Sequence, residues 1–419
     1  MERDRRDEGG RHLPTGFASR IAADLRTLPR QFWLLAAGSF VYLVGVEMCY
    51  PFETLFMDRV LGLSTTAIGV IIGVSLFATL PFQVLGGALC DRVGRKPVLV
   101  VSIVGSTTLY IGFGLTRDLA VVVALIVFEA AFGWAQFLTA TNAIIADLSP
   151  PARRAEAFSV FRAAVNAGIT VGPLLAAPLL VRDPSFRLSF LTGGAIACSF
   201  LVFVIVFFRE TRPEGAAAAS APLRGYGRVV RDRRLILFCV VALLPLYCFG
   251  QIWVTLPIML SELHGIAPQQ WGLALVVYGA ATALLQYPLV RALRHVDHLV
   301  LLGVSSAALA LGLGVAAFVP WPWTIACTLA ISLSVVLLVP ISSTVVARLA
   351  PPELRGRYMG LWTLVYIGGY ALGPLLGGWA MDALGGRGAS LVAVGVGTLG
   401  AVLFVALRRR IEPRAAAGA

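Results

Sequence analysis

Two carboxyl groups stand where a carboxyl is costly. Glu47 lies deep in the apolar run FWLLAAGSFVYLVGVEMCYPF, and Glu129 lies about ten residues into LAVVVALIVFEAAFGWAQFLTA. A charge at mid-bilayer costs roughly 2.5–3.5 kcal/mol on insertion scales, so acids placed there read first as functional groups. They would carry a proton or serve as counter-ion to a cation. Gln136, seven residues after Glu129, would share its helical face and bond the neutral acid. The structural alternative is a protonated carboxyl that ties its helix to a neighbour. Glu53, at the outer end of its run, reads as interfacial.

Other polar residues fall at helical spacing. Arg162 shares an i, i+4, i+8 stripe with Asn166 and Thr170. It either snorkels toward the nearer membrane surface or lines a cavity as partner to an acid. Three neutral stripes follow the same spacing: Tyr247, Gln251 and Thr255; Tyr278, Thr282 and Gln286; Trp362, Tyr366 and Tyr370. Such stripes pack or anchor at interfaces, and each also makes one wall of a pocket. Carboxylates facing aromatics suit amphiphilic or cationic organic molecules. Phosphates and dicarboxylates suit such a site poorly.

The elements that must hold these residues are membrane helices. Of the 419 residues, 58% are hydrophobic and 13% charged, against about 45–50% and about 25% in soluble domains. The apolar residues fall into runs near the ~20 needed to cross a bilayer: 32–52, 66–90, 98–115, 119–146, 157–180 and 188–208, then 235–260, 270–293, 299–318, 320–347, 358–384 and 389–407. These predict twelve spans, numbered here in order, and an all-α membrane fold. Spans one and four run in opposite directions, which sets Glu47 and Glu129 at similar depth.

The net charge of +12 does not imply nucleic-acid binding, because the cations sit in short loops between runs and no soluble domain gathers them. All but one of the 34 basic residues are Arg, the exception being Lys96. They crowd the N-terminal segment, the exits of even-numbered spans and the tail; the opposite side has only Arg59, Arg117, Arg182, Arg187 and Arg387. By the positive-inside rule both termini are cytoplasmic. The predicted organisation is a cytoplasmic segment 1–31, a six-helix bundle 32–208, a linker 209–234 with Pro, Gly and an Ala run, a second bundle 235–407 and a tail 408–419. The halves repeat at an offset of 201 residues: Gly168, Gly172, Pro173, Leu174 and Leu175 recur as Gly369, Gly373, Pro374, Leu375 and Leu376. A half-chain repeat indicates two parallel bundles with a substrate site between them.

The loop after span two reads GALCDRVGRKP, with Gly87, Asp91, Arg92, Gly94, Arg95 and Lys96 at G-x-x-x-D-R-x-G-R-[KR] spacing. An ordinary positive-inside turn explains its charges but not this combination. The chain here resembles the major facilitator superfamily, over all twelve spans, the linker and the repeat. The resemblance implies a loop that leans on the partner bundle and holds one transport conformation, with Asp91 near the start of span eleven, where a helix dipole favours an anion. In span five, Gly168, Gly172 and Pro173 resemble the G-x-x-x-G-P-x-x-x-G pattern of the drug-exporting antiporter branch, with Ala176 and Ala177 in place of glycine at its end. The two glycines share a face that lets another helix approach closely, and the copy in span eleven indicates that part of the signal is architectural. The resemblance also implies that spans one and four line the central cavity. The family pattern R-x-x-x-G in span four here reads E-A-A-F-G, so Glu129 replaces the usual Arg.

Other chemistries are absent from the sequence. Lys96 precedes Pro97, so no P-loop exists, and Gly395-Val-Gly-Thr-Leu-Gly400 lies inside the last span with no acidic residue following. Cys49, Cys90, Cys198, Cys239, Cys248 and Cys327 have no CxxC spacing and read as buried hydrophobes. The four His lie outside the membrane core, no acidic cluster suits a metal, and no cofactor is expected. The expectation is a secondary transporter of a bacterial inner membrane, working as a monomer by alternating access. It would expel amphiphilic or cationic organic compounds in exchange for protons. Transport of one neutral solute is the alternative, and a membrane-embedded enzyme the remote one.

Overall fold

The computed structural model describes residues 28–150, 153–212 and 226–411. The basic residues of segment 1–27, the centre of the linker and the tail beyond 411 lie outside the described residues. Among the described residues there is helix and no strand.

Eleven helical stretches are long and apolar enough to cross a membrane. The last, Arg355–Arg408, has 54 residues. At about 1.5 Å per residue it is far longer than a hydrocarbon core of about 30 Å. It turns at Gly385, whose backbone (φ 71°, ψ 168°) is not helical. A side chain would be strained at that angle, so glycine is what divides this stretch into two helices, where the sequence predicts the boundary of spans eleven and twelve. Aspartates start several helices: Asp118 accepts from Ala120 N and Val121 N, Asp232 from Arg234 N and Leu235 N, and Asp297 from Leu299 N and Val300 N. Each satisfies amides that the first turn leaves free.

Three spans are broken. Span one runs Arg30–Glu47, passes through a 3-10 turn at Tyr50–Phe52 containing Pro51, and resumes as Glu53–Arg59. It is therefore longer than its apolar run, which Glu53 and Asp58 interrupt. Span four divides into Leu119–Phe132 and Trp134–Leu148 at Gly133. Span seven divides into Arg233–Gly250 and Thr255–His264. The breaks in spans one and seven fall at matching places of the 201-residue repeat.

The two halves meet along two pairs of helices. Span two (Thr65–Val93) packs on span eleven, and span five (Arg154–Arg182) on span eight (Pro268–Ala292). The contacts gather at the end remote from the linker, the outer end in the predicted topology. There Arg59 donates to Ser261 Oγ (2.5 Å) and to Ile266 O (3.1 Å), and Thr54 Oγ1 to Trp253 O (3.4 Å). Asp382 accepts from Thr65 N and Thr66 N. Down span two, Gly69 lies against Pro374, Gly73 against Leu375 and Gly368 against Phe77. Beyond Phe77, toward the linker, Leu85, Leu89 and Val93 are exposed.

Candidate functional site

Glu129 owes its setting to the break in span four. The chain leaves the helix at Gly133, and Trp134 N, freed by the break, donates to Glu129 Oε1 at 2.9 Å. Ser106 of span three also bonds the carboxyl, and Tyr42 of span one donates to Ser106 Oγ at 2.9 Å. A chain of Tyr42, Ser106 and Glu129 therefore links spans one, three and four. Gly133 has to be small, because a Cβ there would run into the Glu129 carboxyl.

Glu47 is buried just before the break in span one. Gly172 of span five is pressed against it: a Cβ on Gly172 would lie 2.6 Å from Glu47 Cβ. Gly168 sits against Leu43 and Phe40 O in the same way, so both glycines face span one. The copy in span eleven packs likewise on span seven, Gly369 against Leu246 and Gly373 against Gly250. On another side of span five, Pro173 O and Thr170 touch Gly272 and Gly279 of span eight. Thr170 Oγ1 is bonded to Asn166 O.

Gln136 does not partner Glu129. Its Nε2 donates to Phe82 O of span two (2.7 Å) and to Ala131 O (3.1 Å). The seven-residue spacing assumed an unbroken helix, and Gly133 removes that register. Glu53 also departs from its sequence reading. It is 8% exposed, because span one continues to Arg59 and carries it inside, where it is bonded to Tyr110 of span three.

The facing wall belongs to the second half. Tyr278 is buried edge-on to Trp253 (5.8 Å between ring centres) and within the electrostatic reach of Glu47. Trp253 lies 5.6 Å from the ring of Tyr50, whose hydroxyl is 3.4 Å from that of Tyr370. Tyr366 lies between Phe249 and Trp362. Arg162 is exposed well inside span five and acts electrostatically on Tyr366 of the opposite half. Tyr247 is bonded to buried Gln251, whose Nε2 has no partner. Thr282 is bonded to its own backbone at Tyr278 O, and Gln286 is half-buried.

The GALCDRVGRKP loop is held by its own half. Arg95 is buried and donates from Nε to Asp147 Oδ2 at 2.8 Å and from Nη1 to Cys90 O at 2.8 Å; its Nη2 pairs with Asp91 at 3.4 Å. The partner of Asp91 here is Arg95, not the start of span eleven, since the halves make their contacts at the other end. Lys96 Nζ donates to Ile205 O and Arg212 to Arg92 O. Gly94, at φ 114°, turns the chain into span three, and Gly87 has open space around it. Glu210, at the head of the linker, accepts from Arg95 N (2.9 Å) and Lys96 N (3.0 Å), capping span three. Burial pushes the Glu210 carboxyl up, but the amides of Arg95, Arg212, Lys96 and Thr211 outweigh it and hold the group below its ordinary value.

The sequence reading missed Asp147, Glu210, Trp253, the Tyr42–Ser106 pair and the capping role of Asp382. The three acids sit at span ends, where acids are common and carry no mark of function. Their meaning comes from partners distant in the chain.

Comparison with known proteins agrees with this architecture. The family model described as Major Facilitator Superfamily matches residues 35–252 and again residues 246–418. Curated relatives include the multidrug resistance protein MdtH of Enterobacter sp. (strain 638), 27% identical over 397 residues, 92% of this chain and 95% of the relative. MdtH of Klebsiella pneumoniae (strain 342) is 27% identical over 401 residues, 94% of this chain and 96% of the relative. Among solved structures, the nucleoside transporter NupG aligns with a TM-score of 0.77 at 15% identity, over 90% of this chain and 100% of that one. An inward-facing, occupied bacterial homologue of the human lysosomal transporter Spinster aligns at 0.71 and 15% identity, over 92% of this chain and 98% of that one. These two likenesses concern the fold.

Proposed function

The chain belongs to the major facilitator superfamily, and within it we propose that it exports amphiphilic or cationic organic compounds from the bacterial cytoplasm in exchange for protons. Its twelve crossings form two six-helix bundles, residues 32–208 and 235–407, with both termini and the linker in the cytoplasm and no enzymatic step. The contacts at the outer end, with Leu85, Leu89 and Val93 of span two exposed toward the linker, correspond to an inward-facing state with an opening on the linker side. Rocking of the bundles closes the opening and parts the outer contacts.

One observation carries this reading: Glu47 is buried in the first half within the electrostatic reach of Tyr278 of the second, which lies edge-on to Trp253, and Glu129 is held in the same half as Glu47 by Ser106 and Trp134 N. An organic cation between the halves meets a carboxylate on one side and aromatic faces on the other. Protonation of an acid withdraws the counter-charge, so proton and cation compete for the same group, which is what exchange requires. The MdtH relatives, named for multidrug resistance, support the direction.

The test is purified protein in liposomes with an imposed pH gradient, given a lipophilic cation or a neutral solute. Cation movement driven against its gradient by inward-flowing protons is the expected result. Transport of a neutral solute alone, or cation flux indifferent to the pH gradient, would overturn the proposal.

A further inference from the structure

The outer contacts enclose a carboxyl that these roles leave unused. Glu53 is 8% exposed. It is bonded to Tyr110 of span three, and its Oε1 has no partner. It lines a small cavity between the halves, shared with Tyr50 and Ile72 on its own side and with Gly250, Trp253 and Tyr370 of the other. The Tyr50–Tyr370 and Thr54–Trp253 contacts close that cavity. The second half therefore roofs Glu53 only while the outer end is shut.

The groups that face Glu53 are acids and phenols. The charged ones acting on it are Glu129 of span four and Glu47 of its own span. Tyr110 of span three, and Tyr50 and Tyr370 at the cavity, are the facing phenols, and Cys49 is the adjacent thiol. Span two contributes Ile72, and span seven Gly250, Trp253 and Val254, none of which titrates. Among the described residues no basic side chain is one of the groups acting on it.

Closing the outer end thus moves the carboxyl from water to a site with one donor and two neighbouring acids. An ionised carboxylate has about four lone-pair positions to satisfy, whereas a neutral carboxyl donates one bond and needs fewer. We propose that Glu53 is the proton site of the outer gate: the gate closes over it when the carboxyl is protonated, and opening returns it to water, where it can ionise. The proposal rests on the proton-exchange reading and adds where a proton taken from outside is first held. By linkage, a proton that favours the closed gate makes low pH favour closure.

The test reads the gate without substrate or gradient. Spin labels at Leu119→Cys and Phe318→Cys, exposed positions at the outer ends of the two halves, would be placed in protein lacking its native cysteines. Pulsed EPR distances would be followed in lipid nanodiscs from about pH 5 to about pH 9, a range that brackets perturbed carboxyls. The expected result is a short-distance population that grows about tenfold relative to the long one as pH falls. Glu53→Gln should stay short at every pH, and Glu53→Asp should titrate with a shifted midpoint. Should Glu53→Gln not fold, the wild-type titration and Glu53→Asp still decide. Wild-type distances independent of pH, a Glu53→Gln titration like the wild type's, an unmoved midpoint in Glu53→Asp, or closure by sodium at fixed pH would each overturn the proposal. A flat titration alongside intact proton-driven export sinks the gate role alone, because export is read in the liposome assay.

Discussion

Asp382, at the outer end of span eleven, accepts a hydrogen bond from Thr66 N at 2.8 Å and another from Thr65 N at 3.2 Å. It caps the first turn of span two from the opposite half. The family resemblance implied the inverse arrangement, with Asp91 at the end of span two near the start of span eleven. In this conformation a carboxylate of the second half holds a helix N-terminus of the first, at the end remote from the linker.

Removing that cap should loosen the outer gate. Replacing a capping carboxylate by alanine costs about 0.5–2 kcal/mol. If that cost falls on the closed state alone, Asp382→Ala should shift the outer-open population by roughly 2- to 30-fold. Pulsed EPR between labels at positions 119 and 318 would detect the longer distances. Unchanged distances would mean that the cap stabilises the helix without biasing the gate.

The two acids around Arg95 should differ in consequence. Asp147 meets Arg95 at 2.8 Å with both side chains largely covered, whereas Asp91 is partly exposed at 3.4 Å. Breaking a buried pair by removing one partner costs several kcal/mol, about 3–5 when burial is complete; an exposed pair contributes about 0.2–1. Asp147→Asn should therefore lower the melting temperature in detergent markedly. Asp91→Asn should fold normally yet slow transport, if Asp91 meets span eleven when the linker side closes. Equal melting of the two variants, or full turnover in Asp91→Asn, would contradict this.

The fold was open to reading because membrane spans announce themselves by composition and length, and the repeat by identical residues at one offset. What stayed hidden depended on broken helices. Hydropathy ends span one near Phe52, so Glu53 reads as interfacial, and only the turn at Pro51 and the helix resuming to Arg59 bring it inside. Helical spacing pairs Gln136 with Glu129, and the break at Gly133 separates them. Glycine is tolerated in membrane helices, and nothing in the local sequence marks Gly133 as a break while Gly168 and Gly172 stay helical.

Those two glycines carry their own prediction. Gly172 adjoins Glu47 so closely that a methyl group requires the helices to shift. Overpacking of this kind costs roughly 1–3 kcal/mol. Gly172→Ala should retain part of the transport activity. Gly172→Leu should abolish it by pushing span five from span one and displacing Glu47. Activity at matched expression in liposomes is the measure, and full transport with leucine would separate the glycine from the acid's function.

Glu129 provides the sharpest test of coupling, because a conservative substitution keeps its scaffold. A glutamine there can still accept from Trp134 N through its side-chain oxygen, so the break at Gly133 should survive. What it cannot do is exchange a proton. Glu129→Gln should thus fold and bind substrate with much weaker pH dependence, and proton-driven expulsion should fall by about tenfold or more, the rate factor of about 1.4 kcal/mol. Glu47→Gln, which removes charge beside Tyr278, should weaken cationic substrates by roughly 1.5–3 kcal/mol, the contribution of a charged contact, and neutral ones far less. Binding isotherms at two pH values separate the roles, since a coupling acid changes the pH dependence and a counter-ion changes the charge preference. Wild-type proton-driven export in both variants would make the two carboxyls structural, held by Ser106 and Trp134 in one case and by the packing of Gly172 in the other.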